Sequence, residues 1–335
     1  MTQATTSMPV FDSTNRAAAT TNGLWLDAWR RLKRSRVNLI CLIVVGFYLL
    51  VGLIGFLPVL ETKITNTVGG SFDPPPKMMS IHHNPFKIEW NRKFWSYWNK
   101  PALWFGTDIM GHSVFWQIIY GTRLALTVGI VASLISMIIG TVLGTIAGYF
   151  GGWIDSLVIW LFSTFNSVPW ILLVIAIAAV LQTHDELNRR FSGLPTVIVA
   201  LSLTSWIGLC RLIRGEVLKL RDRDFVVAAR AIGLNHMTIL VRHIVPNVAH
   251  LIIIDFSLNI VSNVQAEVVL AFLGLGIIER PSWGRMIDDA KLDLLRGVWW
   301  QLTVATIAIF VLSLVMNILG DALRDALDPR LRGVG

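Results

Sequence analysis

The chain has 335 residues, of which 54% are hydrophobic and 15% charged, and its mean hydropathy is +0.62. This composition is much more apolar than that of soluble domains, and it excludes a protein that lies wholly in water. A net charge of +8 in a soluble protein would suggest nucleic acid as a partner. In so apolar a chain we assign the excess of Lys and Arg to membrane topology instead, and we expect no nucleic-acid partner.

Six apolar runs are long enough to cross a hydrocarbon core, which needs roughly 20 helical residues. We therefore predict an all-α membrane protein with six transmembrane helices. The runs are approximately 39–57, 124–147, 154–181, 194–213, 248–273 and 299–319. Because the third and fifth runs exceed the length that a bilayer needs, we expect them to tilt, kink or project beyond the lipid.

Lys and Arg are distributed unevenly between the segments that connect these runs. With the N-terminus inside, sixteen of them lie in the two tails and in the segment between runs four and five, against six in the two shorter outside loops. Positive residues favour the cytoplasmic side, so both termini are predicted to be cytoplasmic. No cleavage site precedes the first run, which we interpret as an uncleaved targeting signal.

The runs divide the chain into five predicted segments. They are a cytoplasmic tail with an interfacial amphipathic helix (1–38), a first transmembrane helix (39–60), an extracytoplasmic loop rich in Pro and Trp (61–120), a core domain with five transmembrane helices (121–320) and a cytoplasmic tail (321–335). The Trp cluster of the loop is typical of an aromatic belt at the membrane interface. A docking surface for an extracytoplasmic partner is the alternative.

The segment 214–247, between the fourth and fifth runs, contains two short predicted helices. Asp224 is expected to cap the first helix and Gly233 to end it, while Asn235 caps the second helix and Pro246 ends it.

The first of these helices carries small side chains, including Ala228 and Ala229. Such a surface would let the backbone of another protein approach closely, as a mechanical coupling element requires. An ordinary interfacial loop helix is the alternative.

Polar residues inside the apolar runs are candidates for a solute path. The fifth run places a set of them at helical spacing, which predicts one stripe along the helix. This set is Asp255, Asn259, Ser262, Asn263 and Glu267. Polar contacts between these residues and the helices of a partner subunit would produce the same stripe, and Glu267 would equally suit a structural ion pair.

The third run contains Pro169, with Asn166 about one turn before it. A proline inside a helix removes a hydrogen bond, so we predict a kink at this point. The kink serves either the packing of the helices or the lining of a solute path.

Ordered motifs from residue 105 onward resemble the permease subunits of ABC importers, and in particular those of the oligopeptide and dipeptide group. The spacing of Ala228-Ala229, Gly233 and Val245-Pro246 is similar to the EAAxxxG signature with its downstream LP. The other matching stretches are FGTDIMG, YGTRLAL, AGYFGGWID, AEVVLAFLGLG, PSWGRMIDDA, the Trp299-Trp300 pair and NILGDALRDALDPRLR.

This resemblance implies a type I permease fold in a bacterial inner membrane and a subunit that forms half of a path for peptides. The implied partners are a homologous second permease, two ATP-binding subunits, an extracytoplasmic solute-binding protein and membrane lipid. The segment 214–247 would then hold the coupling helix that fits a cleft on an ATP-binding subunit. The coupling residues implied in this way are Asp224, Phe225, Ala228, Ala229, Arg230, Gly233, Leu234, Pro246 and Asn247.

The sequence contains no Gly-Lys pair and therefore no phosphate-binding P-loop. We expect no catalytic residue, metal site or cofactor in this chain, and we expect ATP and Mg²⁺ on the partner subunits. Peptides are the predicted solute, with nickel complexes or another small solute as alternatives. An ion-driven secondary transporter would instead show inverted repeats and ionisable groups spread over several spans. A membrane scaffold or sensor without transport activity is a further alternative.

The sequence departs from the family pattern at three places. Val227 stands where the signature has Glu, and Ala305-Thr306 replaces a usual Pro-Gly. After FGTDIMG the usual Arg-Asp and Ser-Arg pairs are also absent, and the residues present are His112, Ser113, Trp116 and Gln117. The outer loop is therefore expected to serve a divergent substrate or partner.

Overall fold

The computed structural model describes residue 33 and residues 35–68, 101–183, 193–276 and 280–327. Almost all residues in these ranges are helical, as predicted. The predicted amphipathic helix before the first span, most of the Trp-rich loop and the end of the C-terminal tail lie outside the described residues. The predictions for those segments therefore remain predictions.

Ten helices account for most of the described residues. They are α1 Arg36–Ile54, α2 Pro58–Thr65, α3 Val114–Phe150, α4 Gly152–Asn166, α5 Trp170–Thr183, α6 Leu194–Leu220, α7 Asp224–Ala231, α8 His236–Phe272, α9 Trp283–Asp293 and α10 Trp300–Leu327. Helix α8 includes a π-helical stretch at Leu240–Ile244. Single 3-10 turns occur at Pro101–Leu103 and Leu294–Arg296.

Five of these helices, namely α1, α3, α6, α8 and α10, are long and apolar enough to cross a membrane. A sixth span results if α4 and α5, which correspond to the predicted third run, are counted together. Their axes differ by 90° at the break between Asn166 and Trp170. Pro169 lacks an N–H group and its ring collides with the preceding turn, so the helix ends there. The predicted kink is thus a complete break.

Helices α3 and α6 form the central pair, held together by a glycine ladder that consists of Gly140, Gly144 and Gly148. A Cβ atom at these positions would lie 2.9, 2.6 and 2.8 Å from the carbonyl oxygens of Trp206, Cys210 and Arg214. Only glycine permits such close backbone contact, as in many membrane helix pairs. Residue numbers increase in the same direction along both helices of this ladder, so α3 and α6 run parallel. The chain that connects them, which includes α4 and α5, must therefore cross back to the other end of the bundle.

Helix α8 packs against α3, where Gly129 lies under Val264, and against α10, where Gly320 lies under Leu258. Helix α1 is peripheral, since only Cys41 and Gly52 are buried along it. Its position is fixed by the Tyr48 hydroxyl, which donates to the carbonyl oxygen of Ala308 on α10 at 2.9 Å.

The bundle has two different ends. The loop end is formed by residues 214–247, which include α7 and the start of α8. The opposite, cavity end contains α2 and α9. There Arg280 donates hydrogen bonds to Glu61 and to the Tyr120 hydroxyl, and Arg123 donates to the carbonyl oxygen of Gly55 at 3.0 Å.

Candidate coupling surface and polar membrane residues

Helix α7 begins without a side-chain cap, so the predicted capping role of Asp224 is wrong. Arg223 precedes the helix in an extended conformation, and its carbonyl accepts from the N–H groups of Val226 and Val227 at 2.9 and 3.1 Å. Asp224 is itself the first helical residue. Its negative charge is favourable at that position because the N-terminus of a helix carries partial positive charge.

Helix α7 ends as predicted at Gly233, which has a φ of 81°. The N–H of Gly233 donates to the carbonyl of Arg230 at 2.9 Å, and that of Leu234 donates to Ala229 at 3.2 Å. These two bonds are those of a Schellman motif, and its left-handed residue is usually glycine. The chain therefore reverses sharply after α7.

The second predicted helix is capped as expected but does not end at Pro246. The Asn235 side chain accepts from the N–H of Met237 at 3.4 Å. The helix then continues through the π-helical stretch Leu240–Ile244 into the membrane. The wider turn of that stretch accommodates the missing N–H and the ring of Pro246. Asn247, one residue later, donates from its side chain to the carbonyl of His243 at 2.5 Å.

Helix α7 has one buried and one exposed face. Val226 and Ala229, three residues apart, are 0% and 5% exposed, whereas Ala228 is exposed. Val226 and Ala229 belong to a core cluster that also contains Ile213, Val217, Ile239, Leu240, Ile244 and Val248. Contrary to the prediction, Ala229 thus packs against its own chain, and only Ala228 of the pair is open to a partner.

The exposed side of the loop end presents apolar side chains surrounded by arginines; we call it the loop-end surface. Its apolar members are Phe225, Val227, Ala228, Ile232, Met237 and Val241, and its arginines are Arg223, Arg230 and Arg242. Ile232 is 77% exposed. Val227, which replaces the usual Glu, adds to this apolar area.

Two predicted residues of the α5 region lie at the break itself. Asn166 ends α4 and Pro169 precedes α5, and both side chains are exposed, as are the residues between them. The carbonyl of Pro169 accepts from the N–H groups of Leu172 and Leu173 at 3.0 and 3.2 Å. These bonds start α5 at once after the break.

The predicted polar stripe of α8 divides into two groups. Asn259 donates to the carboxylate of Asp255 one turn away at 2.8 Å, and Ser262 is exposed. Asn263 and Glu267, in contrast, are 0% and 1% exposed. They lie between helices of this chain and do not face an open path in this structure.

Asn263 connects three helices. Its amide nitrogen donates to the Ser133 hydroxyl of α3 at 2.8 Å, and its amide oxygen accepts from the Ser205 hydroxyl of α6 at 2.8 Å. A buried amide with both sides bonded is a specific link inside a membrane. Asn263 thus bonds to helices of its own chain, which differs from both interpretations of the sequence, a solute path and contacts with a partner subunit.

Glu267 has no comparable link. Among the described residues, no hydrogen bond of ordinary geometry reaches either of its carboxylate oxygens, and the Ser282 side chain is a polar neighbour. The ion pair considered from the sequence is thus not formed within those parts of the chain. A buried polar group without a partner is costly and often marks a functional position.

An ion pair that the sequence did not indicate fastens α4 to α6. Arg214 donates from Nε and Nη2 to the two carboxylate oxygens of Asp155, and the second distance is 2.7 Å. The side chains of Arg214 and Asp155 are 22% and 17% exposed. Such a two-pronged pair is stronger and more directional than a single contact.

The cavity end encloses a volume of about 710 Å³ between α3, α9 and the turn before α3. In that turn, Asp108 accepts from the N–H groups of Met110 and His112 at 2.8 Å, from His112 Nδ1 at 3.2 Å and from Gln117 at 2.6 Å. The Ser113 hydroxyl accepts from the N–H of Trp116 at 3.4 Å. The residues that depart from the family pattern therefore build this turn.

The cavity also contains Asp289, whose side chain is 52% exposed. Partial burial raises the pKa of this carboxyl, the guanidinium of Arg285 lowers it, and the carboxylates of Asp288, Asp108 and Asp293 raise it. The acidic side chains thus converge on one part of the cavity.

Comparison with known proteins agrees with this architecture. Residues 140–333 match the family described as binding-protein-dependent transport system inner membrane component, and residues 23–75 match the N-terminal TM domain of oligopeptide transport permease C.

Individual relatives cover most of the chain. The dipeptide transport system permease protein DppC of Bacillus subtilis (strain 168) is 34% identical over 308 residues, which are 91% of this chain and 86% of the relative. The glutathione transport system permease protein GsiD of Shigella flexneri serotype 5b (strain 8401) is 40% identical over 238 residues, which are 70% and 75%.

A solved structure of the MetNI methionine ABC transporter in an inward facing conformation has a similar fold. Its TM-score is 0.51 at 16% identity, with 64% of this chain and 97% of that chain covered. The type I importer permease fold predicted from the sequence is thereby confirmed. The chain belongs to the family of binding-protein-dependent transport system inner membrane components, and it is a multi-pass membrane permease subunit of an ABC importer.

Proposed function

We propose that this chain forms half of the translocation path of an ATP-driven peptide importer in the bacterial inner membrane. Relatives named for dipeptide and glutathione transport support peptides as the solute. The family description supports the inner membrane. The excess of Lys and Arg supports a cytoplasmic position for both termini and for the loop end.

The subunit works with a homologous second permease, two ATP-binding subunits and an extracytoplasmic solute-binding protein. The ATP-binding subunits hold ATP and Mg²⁺ and carry out hydrolysis, since this chain has no P-loop. Membrane lipid covers the apolar residues of α1, most of which are exposed. Lipid contact is what such a peripheral apolar helix requires.

The loop-end surface is the observation that carries this proposal. An exposed apolar patch surrounded by arginines is typical of an interaction site. Single apolar side chains are common on a surface that contacts water, but a contiguous group of them is rare. Val226 and Ala229 fasten α7 to the bundle, while Val227 and Ile232 remain exposed. An ATP-binding subunit that closes on ATP would push α7, and the spans would tilt around the path.

Cysteine cross-linking tests the contact directly. In the complex with its ATP-binding subunits, Val227→Cys should cross-link to one of them through a reagent that joins its thiol to a lysine amine of the partner. Ala229→Cys is the matched control on the same helix, because its side chain is buried and should react poorly. The two native cysteines, Cys41 and Cys210, are buried and add little background. No cross-link from Val227→Cys, or labelling of it from outside the cell, would contradict the proposal.

The solute is tested separately. Proteoliposomes that contain the complete complex should accumulate a radiolabelled dipeptide only with ATP inside and with the solute-binding protein outside. An excess of unlabelled dipeptide should abolish this uptake, and an excess of free amino acids should not. If unlabelled dipeptide does not reduce the uptake, the complex is not a peptide importer, although the chain would still be an ABC permease subunit.

A further inference from the structure

The inner end of α3 is where the loop end joins the membrane bundle. Helix α3 has 37 residues, which is about 55 Å of helix at 1.5 Å per residue. The hydrocarbon core is only about 30 Å thick. Helix α3 is therefore longer than the core, and its last turn, at the loop end, contacts α7 and α8 through Tyr149.

Two polar side chains meet at the Tyr149 hydroxyl. It lies 2.8 Å from Nδ1 of His236, the first residue of α8, and it accepts from Nε of Arg230 on α7 at 3.3 Å. Arginine only donates, so the hydroxyl proton is free to be donated to His236. One side chain of α3 therefore binds both the end of α7 and the start of α8.

Ring contacts strengthen the same junction. The Tyr149 and His236 rings meet edge to face with centroids 5.6 Å apart, and Phe150 contacts both, at 5.2 and 5.9 Å. The Arg230 guanidinium lies 4.9 Å from the centroid of the Tyr149 ring. Edge-to-face rings and cation–π contacts each add to binding beyond area burial. We call these four residues the Tyr149 clasp.

The clasp differs in kind from the other contacts of α7. The core contacts of Val226 and Ala229 are apolar and have little directional preference. The bonds to Tyr149 are directional, and the Tyr149 side chain is only 5% exposed, although its partners Arg230 and His236 are exposed. A displacement of α7 would therefore be passed to α3 and α8 together, and α3 would pass it to α6 through the glycine ladder.

We propose that Tyr149 is the positioning residue through which movement of α7 is transmitted to α3 and α8 during transport. This inference rests on the proposed function, because it assigns a route for the force that an ATP-binding subunit applies to α7. It goes beyond that function by naming the side chain on which the route depends. Tyr149 contacts neither ATP nor solute in this role.

The test uses the complete complex in proteoliposomes and measures ATP hydrolysed per dipeptide accumulated. Tyr149→Phe keeps the ring and loses the hydroxyl. We expect it to bind the ATP-binding subunits normally but to raise this ratio at least two- to tenfold. The hydroxyl loses its bonds to both His236 and Arg230, and the loss of one partly buried hydrogen bond alone has about that effect. The matched control is Tyr48→Phe, whose hydroxyl donates to Ala308 away from the loop end, and its ratio should stay at the wild-type value.

Variants of His236 test whether the hydroxyl acts through this partner. Asn can place a polar atom near the position of Nδ1, so His236→Asn should largely preserve the ratio, whereas His236→Leu should raise it as Tyr149→Phe does. The double variant with Tyr149→Phe and His236→Leu should be no worse than Tyr149→Phe alone, because Tyr149→Phe already removes the bond that His236→Leu removes.

Three results would overturn the inference: an unchanged ratio for Tyr149→Phe, an equal rise for Tyr48→Phe, or additive effects in the double variant. Any of these, with dipeptide uptake by the wild-type complex intact, would leave the proposed function standing. A wild-type complex that neither binds an ATP-binding subunit nor takes up dipeptide would overturn both.

Discussion

The glycine ladder predicts that one added methyl group at Gly144 destabilises the bundle. A Cβ atom there would lie 2.6 Å from the carbonyl oxygen of Cys210, 3.1 Å from the Cβ of Ile213 and 3.2 Å from the N atom of Arg214. Two of these three atoms are backbone, so no side chain can move aside. Helices α3 and α6 would have to separate locally by roughly 1 Å to reach ordinary contact distance.

The magnitude follows from comparison with a glycine that has free space. A Cβ atom at Gly208, on α6, would meet no atom within 4 Å, so Gly208→Ala should stabilise the helix by about 0.5–1 kcal/mol through reduced backbone freedom. Gly144→Ala gains the same amount and then loses roughly 1–3 kcal/mol through overpacking. The difference between the two variants isolates the packing cost.

The assay is thermal unfolding of the detergent-solubilised chain, followed by the fraction that remains monodisperse after heating. Gly144→Ala should unfold at a lower temperature than wild type, and Gly208→Ala at the same or a higher temperature. If Gly144→Ala proved as stable as Gly208→Ala, the close approach of α3 and α6 would be refuted.

Three further predictions concern charged and polar side chains. Asp155→Asn should lower the free energy of unfolding by about 1.5–3 kcal/mol, because the bonds from Arg214 lose their charged acceptor. In a chain that already carries Arg214→Met, the same Asp155→Asn change should lower the free energy of unfolding by much less. In thermal unfolding, Asn263→Leu should cost about 1 kcal/mol more than Asn259→Leu, because it leaves partners on two other helices unbonded. Burial raises the pKa of Asp289, so its ionised form is less stable in the folded protein than in the unfolded one. Asp289→Asn should therefore raise the unfolding temperature at pH 7 by a small amount, since half-exposed charges are screened. The gain in unfolding temperature should vanish below pH 3.8, the ordinary pKa of an aspartate, because Asp289 is then protonated in both the folded and the unfolded protein. A gain that persists below this pH would refute the raised pKa of Asp289.

The number and type of the spans were predictable because length and hydropathy determine them, but their ends were not. Helix α3 begins at Val114, about ten residues before the predicted run, because Gln117 is bonded to Asp108 and Arg123 to the carbonyl of Gly55. Helix α6 continues past the predicted end because Arg214 is paired with Asp155. A hydropathy pattern stops at such residues, since it contains no information about their distant partners.

The site shows the same division between local and distant information. Gly233 as a helix stop follows from local backbone chemistry, and the prediction was confirmed. The burial of Ala229 depends on Ile213 and Ile244, which are distant in sequence, so the predicted open face was wrong there. The glycine ladder was visible in the sequence as Gly at every fourth position from Gly140 and was missed. The partners of Tyr149 had no such signal.

The position of the broken span bears on the predicted solute path. At the break between α4 and α5, Asn166 and Pro169 are exposed together with the two residues between them. Irregular backbone that faces hydrocarbon leaves polar groups without partners, so at membrane depth it occurs against protein or beside a water-filled cavity. A break at membrane depth would therefore face a second subunit or an aqueous path rather than lipid. Asn263 and Glu267 are buried within the chain, so Asn166 is the stronger candidate for contact with solute.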